Sequence, residues 1–409
     1  MKPDLVLVNA GELVTLGAND ESSLGIIEGG AMVVRGGRVV WTGTTKELRR
    51  KTFARARKTV DAAGMLVTPG FVDPHTHLVF AGSREDELER KIRGESYVSI
   101  LNAGGGIVRT VKETRKASLA KLVAEAQGRL RQLVRNGVTT VEVKTGYGQD
   151  LRSETKLLNV VKRLSRTEKV ELVPTFMGLH AKPPEFGSAK EYVDYVLDVM
   201  LPAAARLKPA FADCFCEEGV FTRDECSRYL RASKALGLKL KIHADEFADS
   251  KGASLAAETG CVSADHLGNS EQSGVEMMAR RGVVAVLLPG TSLYSGIGYA
   301  DARMIAGAGC RIALGTDLSP NSWVESPQMV MALACNAMKM TPADALRGFT
   351  VNAAKALGRD DLGRLVPGAP ADFVVHELPG YRFLPYRVGG GYVSTVFKGG
   401  VEVYASAPN

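Results

Sequence analysis

GFVDPHTHLVF (residues 70–80) closes a run of β-formers, Met65, Leu66 and Val67, that passes through Pro69-Gly70 and on to Phe71-Val72-Asp73. It then presents His75 and His77. Side chains at i and i+2 of an extended segment point the same way. Two imidazoles on one face make half of a transition-metal site, because neutral imidazole is a good ligand for zinc or iron. The plain alternative is a pair of surface histidines beside a turn. The apolar run puts the pair at a strand's end, and the chain holds only six histidines, which favours the metal.

Working outward, the pattern after this strand alternates short apolar runs with amphipathic stretches. The runs are VTTVEV (138–143), VELVPTF (170–176), PAFADCFC (209–216), LKLKIHA (238–244), CVSADHL (261–267), GVVAVLLP (282–289) and RIALGTD (311–317). Segments such as SLAKLVAEAQGRLRQLVRNG and TRDECSRYLRASKALG lie between them. Eight strand–helix units between residues 66 and 359 predict a (β/α)8 barrel of the TIM type. A doubly wound sheet would need a nucleotide fingerprint at its first turn, and PHTH is not one. Residues 1–65 read instead as short strands with glycine turns, and the same texture returns in ADFVVHEL and YVSTVFKGGVEVYA. The expectation is a small β-sandwich domain built from residues 1–65 plus 360–409, beside a barrel domain of residues 66–359. Residues 81–117 form a long insertion after the first barrel strand, long enough to lie over the mouth as a lid. Its Gly104-Gly105-Gly106 reads as a flexible turn before a helix, with anion binding as the alternative.

Composition narrows the function. The 409 residues are 45% hydrophobic and 24% charged, enough for a large core. No apolar run reaches membrane-spanning length. The opening residues lack the apolar core and cleavage site of a signal peptide, so a cytoplasmic protein is expected. Six cysteines in a chain this long are no disulfide scaffold, and Cys214 and Cys216 read as small buried hydrophobes. The net charge of +7 is scattered rather than clustered with aromatics, so neither a nucleic-acid nor a membrane partner is expected.

In such barrels chemistry sits at the C-terminal ends of the strands. The first offers His75 and His77. The second runs into Lys144-Thr145-Gly146-Tyr147-Gly148, and the third is followed by His180. The fourth gives Cys216-Glu217-Glu218, the fifth His243 with Asp245 and Glu246, the sixth Asp265-His266, and the eighth Asp317. Five of the six histidines thus fall at or just beyond strand ends. His75, His77, His243 and Asp317 are the candidate ligands of one metal ion, zinc or iron. Such an ion lowers the pKa of bound water toward about 7 and polarises a carbonyl oxygen. A second ion would want a bridging anion on the fourth strand, such as a modified lysine, and that strand has no lysine. His266, Glu246 and Asp317 are the candidates for proton transfer. For Glu246 the competing reading is a carboxylate at a helix N-terminus.

Together, PHTH after a strand, HAD on a later one, then DH, GTD and NAAKALGRDDLGRLVPGAPADFVV resemble the amidohydrolase superfamily over nearly the whole chain. HTHLVFAGSREDEL, GGGIVRTVKETR, KTGYGQDLRSE, FMGLHAKPPEF, DCFCEEGVF, HADEF and LLPGTSLY are similar to its imidazolonepropionase family. The resemblance implies hydrolysis of 4-imidazolone-5-propanoate to N-formimidoyl-L-glutamate, supports the four ligands, and implies a homodimer. It also implies that Arg84, Tyr147, His180 and Glu246 contact a small carboxylate-bearing substrate. Arg84 suits the propanoate, since guanidinium binds carboxylates bidentately. One segment departs from the family pattern. Asn is usual two residues after the metal Asp and Gly four after it, whereas GTDLSPNS carries Ser319 and Asn321 there, with Ser322 in its usual place. Either Asn321 compensates or recognition of the substrate's tail differs. The rival functions are another cyclic-amide hydrolase or a nucleobase deaminase on the same fold. A catalytically silent binding barrel is more remote, because a silent barrel has no reason to keep every ligand.

Overall fold

The apolar runs become strands buried along nearly their whole length. The computed structural model describes residues 2–17, 23–51, 53, 55–95, 99–100 and 103–407. Its central sheet is β6 (Phe71–Asp73), β7 (Val138–Lys144), β8 (Glu171–Leu179), β9 (Phe211–Cys216), β10 (Lys239–Ala244), β11 (Ser263–His266), β12 (Val284–Leu287) and β13 (Ile312–Leu314). These eight strands are hydrogen-bonded in chain order and every pair is parallel. Amphipathic helices make the crossovers, as at Leu119–Arg135, Leu151–Thr167 and Arg223–Ala235, opened by the side-chain caps of Ser118, Asp150 and Thr222. This is the expected (β/α)8 arrangement.

The seam between β6 and β13 is closed just beyond the strands. Thr76 bridges Leu318 in parallel, His77 N donates to the Leu318 carbonyl at 2.9 Å, and Asp317 N donates to the His75 carbonyl at 3.0 Å. Asp73 adds a side-chain tie, accepting from Thr316 N at 3.1 Å and Thr316 Oγ1 at 2.6 Å. Closing the barrel therefore fixes the spacing of the HTH and GTD segments.

The β-rich ends form one mixed eight-stranded sheet. They contribute β1 (Leu5–Val14), β2 (Ile26–Arg35), β3 (Arg38–Thr44), β4 (Lys58–Asp61), β5 (Leu66–Pro69), β14 (Phe373–His376), β15 (Val393–Lys398) and β16 (Val401–Ala405). The order is β16-β15-β14-β5-β1-β2-β3, with β4 beside β1. Both termini meet where β5 pairs antiparallel with β14, Val67 opposite Val375. The run of β-formers that leads into the HTH segment is thus split between two sheets, and the crossing falls at Gly70, beyond residue 65. A Cβ at Gly70 would lie 2.4 Å from the Thr139 side chain, so only glycine lets the chain pass there.

In the insertion, helices Glu85–Ile92 and Gly106–Lys116 flank residues 96–98 and 101–102, which lie outside the described residues. The glycine turn binds an anion of the chain itself, since Gly106 N donates to Glu87 Oε1 at 2.7 Å. No described helix is long and apolar enough to cross a membrane.

Candidate active site

Four of the residues singled out in the sequence converge at the C-terminal end of the barrel. His77 Nε2 lies 3.3 Å from His243 Nε2. Asp317 Oδ1 faces His75 Nε2 at 3.4 Å and His77 Nε2 at 3.8 Å. His75, His77 and His243 form one cluster with metal-ligand spacing, and His75, His266 and Asp317 form an overlapping one. All five residues are buried. Burial, reinforced by neighbouring positive charge, holds the His75, His77 and His243 imidazoles well below the usual histidine pKa, so each presents neutral nitrogens. Burial also pushes the Asp317 carboxyl up to about 7.

The outer nitrogens are tied to carboxylates. His75 Nδ1 donates to Asp265 Oδ2 at 2.7 Å, and His243 Nδ1 to Asp213 Oδ1 at 3.2 Å. A proton on Nδ1 leaves the Nε2 lone pair free to bind. His75 Nε2 has no hydrogen-bond partner although it is buried. Beneath the pair, Lys144 Nζ meets Asp213 Oδ2 at 2.6 Å, Glu142 Oε1 at 3.0 Å and Asp265 Oδ2 at 3.4 Å. Burial opposes its charge, but these carboxylates more than offset that and hold its pKa above the lysine value.

Backbone geometry helps to aim the site. His266 and Asp317 sit at φ 75° and 49°, a left-handed region that non-glycine residues enter at a cost and that gathers at functional sites. Thr291 Oγ1 donates to Asp317 Oδ2 at 2.5 Å, which leaves Oδ1 turned to the histidines.

Beside the cluster, His266 Nε2 lies 3.7 Å from Glu246 Oε2, and both line a small cavity with Pro289, Ser292 and Gly298. Burial lowers His266 to about 4 and raises Glu246 well above the ordinary carboxyl value. The helix-terminal role goes to the neighbouring Asp245. It accepts from Gly252 N at 2.8 Å and Ala253 N at 3.1 Å, where helix Gly252–Thr259 begins. Glu217 is likewise committed, accepting from Phe247 N and Ala248 N, each at 3.0 Å.

His180 stacks on His77 with ring centroids 4.9 Å apart and sits 3.2 Å from the Gly146 carbonyl. The Tyr147 ring lies 5.1 Å from that of His180. Arg84 is buried, its Nε donating to Thr110 Oγ1 at 2.8 Å, and lines a cavity with Lys91, Tyr294, Asn321 and Trp323. Asn321 Oδ1 accepts from Lys91 Nζ at 3.3 Å across this cavity. Ser319 and Ser322 close a tight turn on each other, Ser322 N donating to Ser319 Oγ at 3.2 Å, and the buried Ser322 Oγ has no partner. Sequence reading missed Asp213, Thr291 and the pairing of Lys144. Their only signal is charge or hydroxyl within otherwise apolar segments.

Comparison with known proteins identifies the family and the fold. Residues 66–403 match the amidohydrolase family, and residues 30–51 match the bacterial imidazolonepropionase-like composite domain. The chain is 47% identical to an imidazolonepropionase of Geobacillus kaustophilus and 43% identical to one of Parabacteroides distasonis, covering 98% of each chain in both cases. Among solved structures it is similar to a 5-methylcytosine deaminase from Klebsiella pneumoniae, with a TM-score of 0.76, 17% identity, and coverage of 99% of this chain and 98% of the other. It also resembles a zinc-bound adenosine deaminase from Xanthomonas campestris, with a TM-score of 0.74, 18% identity, and coverage of 98% and 93%.

Proposed function

The chain belongs to the amidohydrolase family and, within it, to the imidazolonepropionases, and from that premise we propose how its residues divide the work of opening 4-imidazolone-5-propanoate to N-formimidoyl-L-glutamate in histidine degradation. The enzyme is a hydrolase of the C–N bond of a cyclic amide. The observation that carries the reading of the site is the convergence of three imidazole nitrogens and one carboxylate oxygen beside a separate His–Glu pair.

We read His75, His77, His243 and Asp317 as the ligands of one divalent or trivalent ion, zinc or iron. Two nitrogens each about 2.0–2.1 Å from a tetrahedral ion stand about 3.3 Å apart, and His77 and His243 have that separation. The unpartnered His75 Nε2 supports the same fit. A single ion is favoured because β9 has no lysine and Glu217 is held by loop amides. When bound, such an ion polarises the ring carbonyl and acidifies water.

The chain's own groups supply the rest. Asp317 accepts the proton of the attacking water. Neutral His266 donates a hydrogen bond to the carbonyl oxygen as charge develops there. Glu246, kept protonated by burial, delivers a proton to the ring nitrogen as the C–N bond breaks. The water's oxygen ends in the new carboxylate and the nitrogen leaves protonated. Arg84 takes the propanoate, while Tyr147, His180 and Ser322 hold the ring and its substituents. Asn321 belongs to the Arg84 cavity, and its bond to Lys91 is how this chain accommodates the departure at residues 319–321.

We further propose a cytoplasmic homodimer with no nucleic-acid or membrane partner, and a catalytic barrel running from Gly70 to residue 359 beside the terminal sheet. Sedimentation of the purified enzyme reads the dimer. The functional test is turnover of 4-imidazolone-5-propanoate generated in the cuvette by urocanase, with and without chelator, followed by detection of formimidoylglutamate. Chelator-sensitive turnover is expected, with metal and activity both lost in His243→Ala. A metal-replete protein with no turnover overturns the substrate, and full metal content in His243→Ala overturns the ligand set.

A further inference from the structure

The chemistry above uses the inner nitrogens of the histidines and leaves the buried charges behind them without a role. Asp213, Asp265, Glu142 and Lys144 are all fully buried. Asp265 is well supplied with partners: Ser263 Oγ donates to it at 2.7 Å, and Lys241 Nζ lies 3.7 Å away. Asp213 is not. Among the described residues its side chain meets only His243 and Lys144. Lys144 is also the one described cation within ion-pair distance of both aspartates.

We propose that Lys144 is a positioning residue whose ammonium clamps Asp213 against His243, and secondarily Asp265 against His75, so that both imidazoles hold Nδ1–H outward and aim Nε2 into the site. The proposal rests on the ligand reading given above. A carboxylate that accepts from a ligating histidine fixes its tautomer and ring orientation. Two carboxylates close together in a dry interior repel each other and turn away unless a cation sits between them. Lys144 occupies that position, and its position at the end of β7 fixes it there. The partner lists make the effect unequal. Removing Lys144 takes from Asp213 the one described lysine in ion-pair contact with it, leaving Lys241 to act only from farther off, whereas Asp265 keeps Lys241 and Ser263. The damage therefore passes through His243 more than through His75. A lysine that merely balances core charge would show no such preference.

The test compares wild type, Lys144→Met, Asp213→Asn and the double variant, using zinc affinity by chelator competition and the visible spectrum of the cobalt-loaded protein. Loss of an outer-shell partner typically costs 10–100-fold in metal affinity. Each single substitution is expected to lose that much and to shift the cobalt bands, with the double variant within about threefold of Asp213→Asn alone, the small remainder being the Asp265 route. Lys144→Met binding zinc within twofold of wild type, with unchanged bands, overturns the proposal. A double variant that loses the product of the single effects also overturns it, because Lys144 then acts by another route. If Lys144→Met does not fold, the double variant replaces the ion pair with a neutral pair and is compared directly with Asp213→Asn. Affinity within about threefold supports the clamp, and a further loss of about tenfold refutes it. Wild-type protein that takes up neither zinc nor cobalt refutes the ligand reading itself, and the clamp with it.

Discussion

Replacing His376 with glutamine should change how stability depends on pH, by an amount the terminal sheet fixes. His376 ends β14 with no solvent exposure. Its Nε2 lies 2.9 Å from Thr68 Oγ1, and that hydroxyl donates its own proton to the Pro69 carbonyl at 3.0 Å. The histidine must therefore be the donor in this pair, as the Nε2–H tautomer. Its Nδ1 is buried without a partner, and burial lowers the ring to about 3. Above the unfolded value of about 6.5 both states are neutral. Below it the unfolded chain takes up a proton that the folded chain refuses until pH about 3, so stability is lost as pH falls through that window. The slope is about 1.4 kcal/mol per pH unit, giving a loss of about 2 kcal/mol by pH 5. Glutamine can donate to Thr68 Oγ1 but does not titrate. For a chain of this length the unfolding entropy converts 2 kcal/mol into about 2 °C of Tm. Calorimetric melts at pH 7.5 and 5 should show the variant gaining about 2 °C on the wild type as the pH drops. Parallel Tm curves for the two proteins would refute the assignment of this linkage to His376.

Three substitutions probe the site. Glu246→Gln keeps the shape of the side chain and should retain metal while kcat falls about 10²–10⁴-fold, the usual contribution of a positioned acid; wild-type turnover would remove Glu246 from proton transfer. Gly146→Ala forces a side chain onto a residue at φ 111°, with its Cβ 2.7 Å from His180 Nδ1. Strain of about 1–3 kcal/mol should lower Tm and raise KM, and an unchanged KM would separate His180 from substrate. Asn321→Gly removes the partner of Lys91 and should raise KM about tenfold with kcat and metal content intact, since a hydrogen bond to a charged group contributes about 1.5–3 kcal/mol; an unchanged KM would mean the segment from 319 to 321 does not read the substrate's tail.

The barrel was legible because a strand covered on both faces must be apolar throughout, and each such run here is followed by a helical stretch with a polar face. The histidine cluster, the candidate metal site, was legible for a related reason. Five of the six histidines fall at or just beyond the ends of apolar barrel strands, and barrel topology brings those strand ends together whatever their spacing in the chain. What stayed hidden depends on contacts across the barrel. Glu142 and Lys144, Lys241 and His243, and Ser263 and Asp265 are i, i+2 pairs, and that period marks a shared face of a strand. Yet period alone cannot tell that Lys144 meets Asp213, 69 positions away, rather than Glu142 alone. The division of labour between Asp245 and Glu246 was hidden for a local reason. Asp245 adopts φ 55°, which turns its carboxylate onto the amides of the next helix and leaves Glu246 beside His266. Either carboxylate could have capped that helix on composition alone, and one left-handed residue decides which stays beside His266. The same reasoning explains the split at Gly70. A continuous run of β-formers looks like one strand, and the contact that marks the break, the Thr139 side chain 2.4 Å from where a Cβ at residue 70 would stand, comes from a strand far along the chain. Residue type therefore marks where chemistry is possible in this chain. Which group performs it is set by a few backbone torsions and by partners that meet only once the barrel has closed.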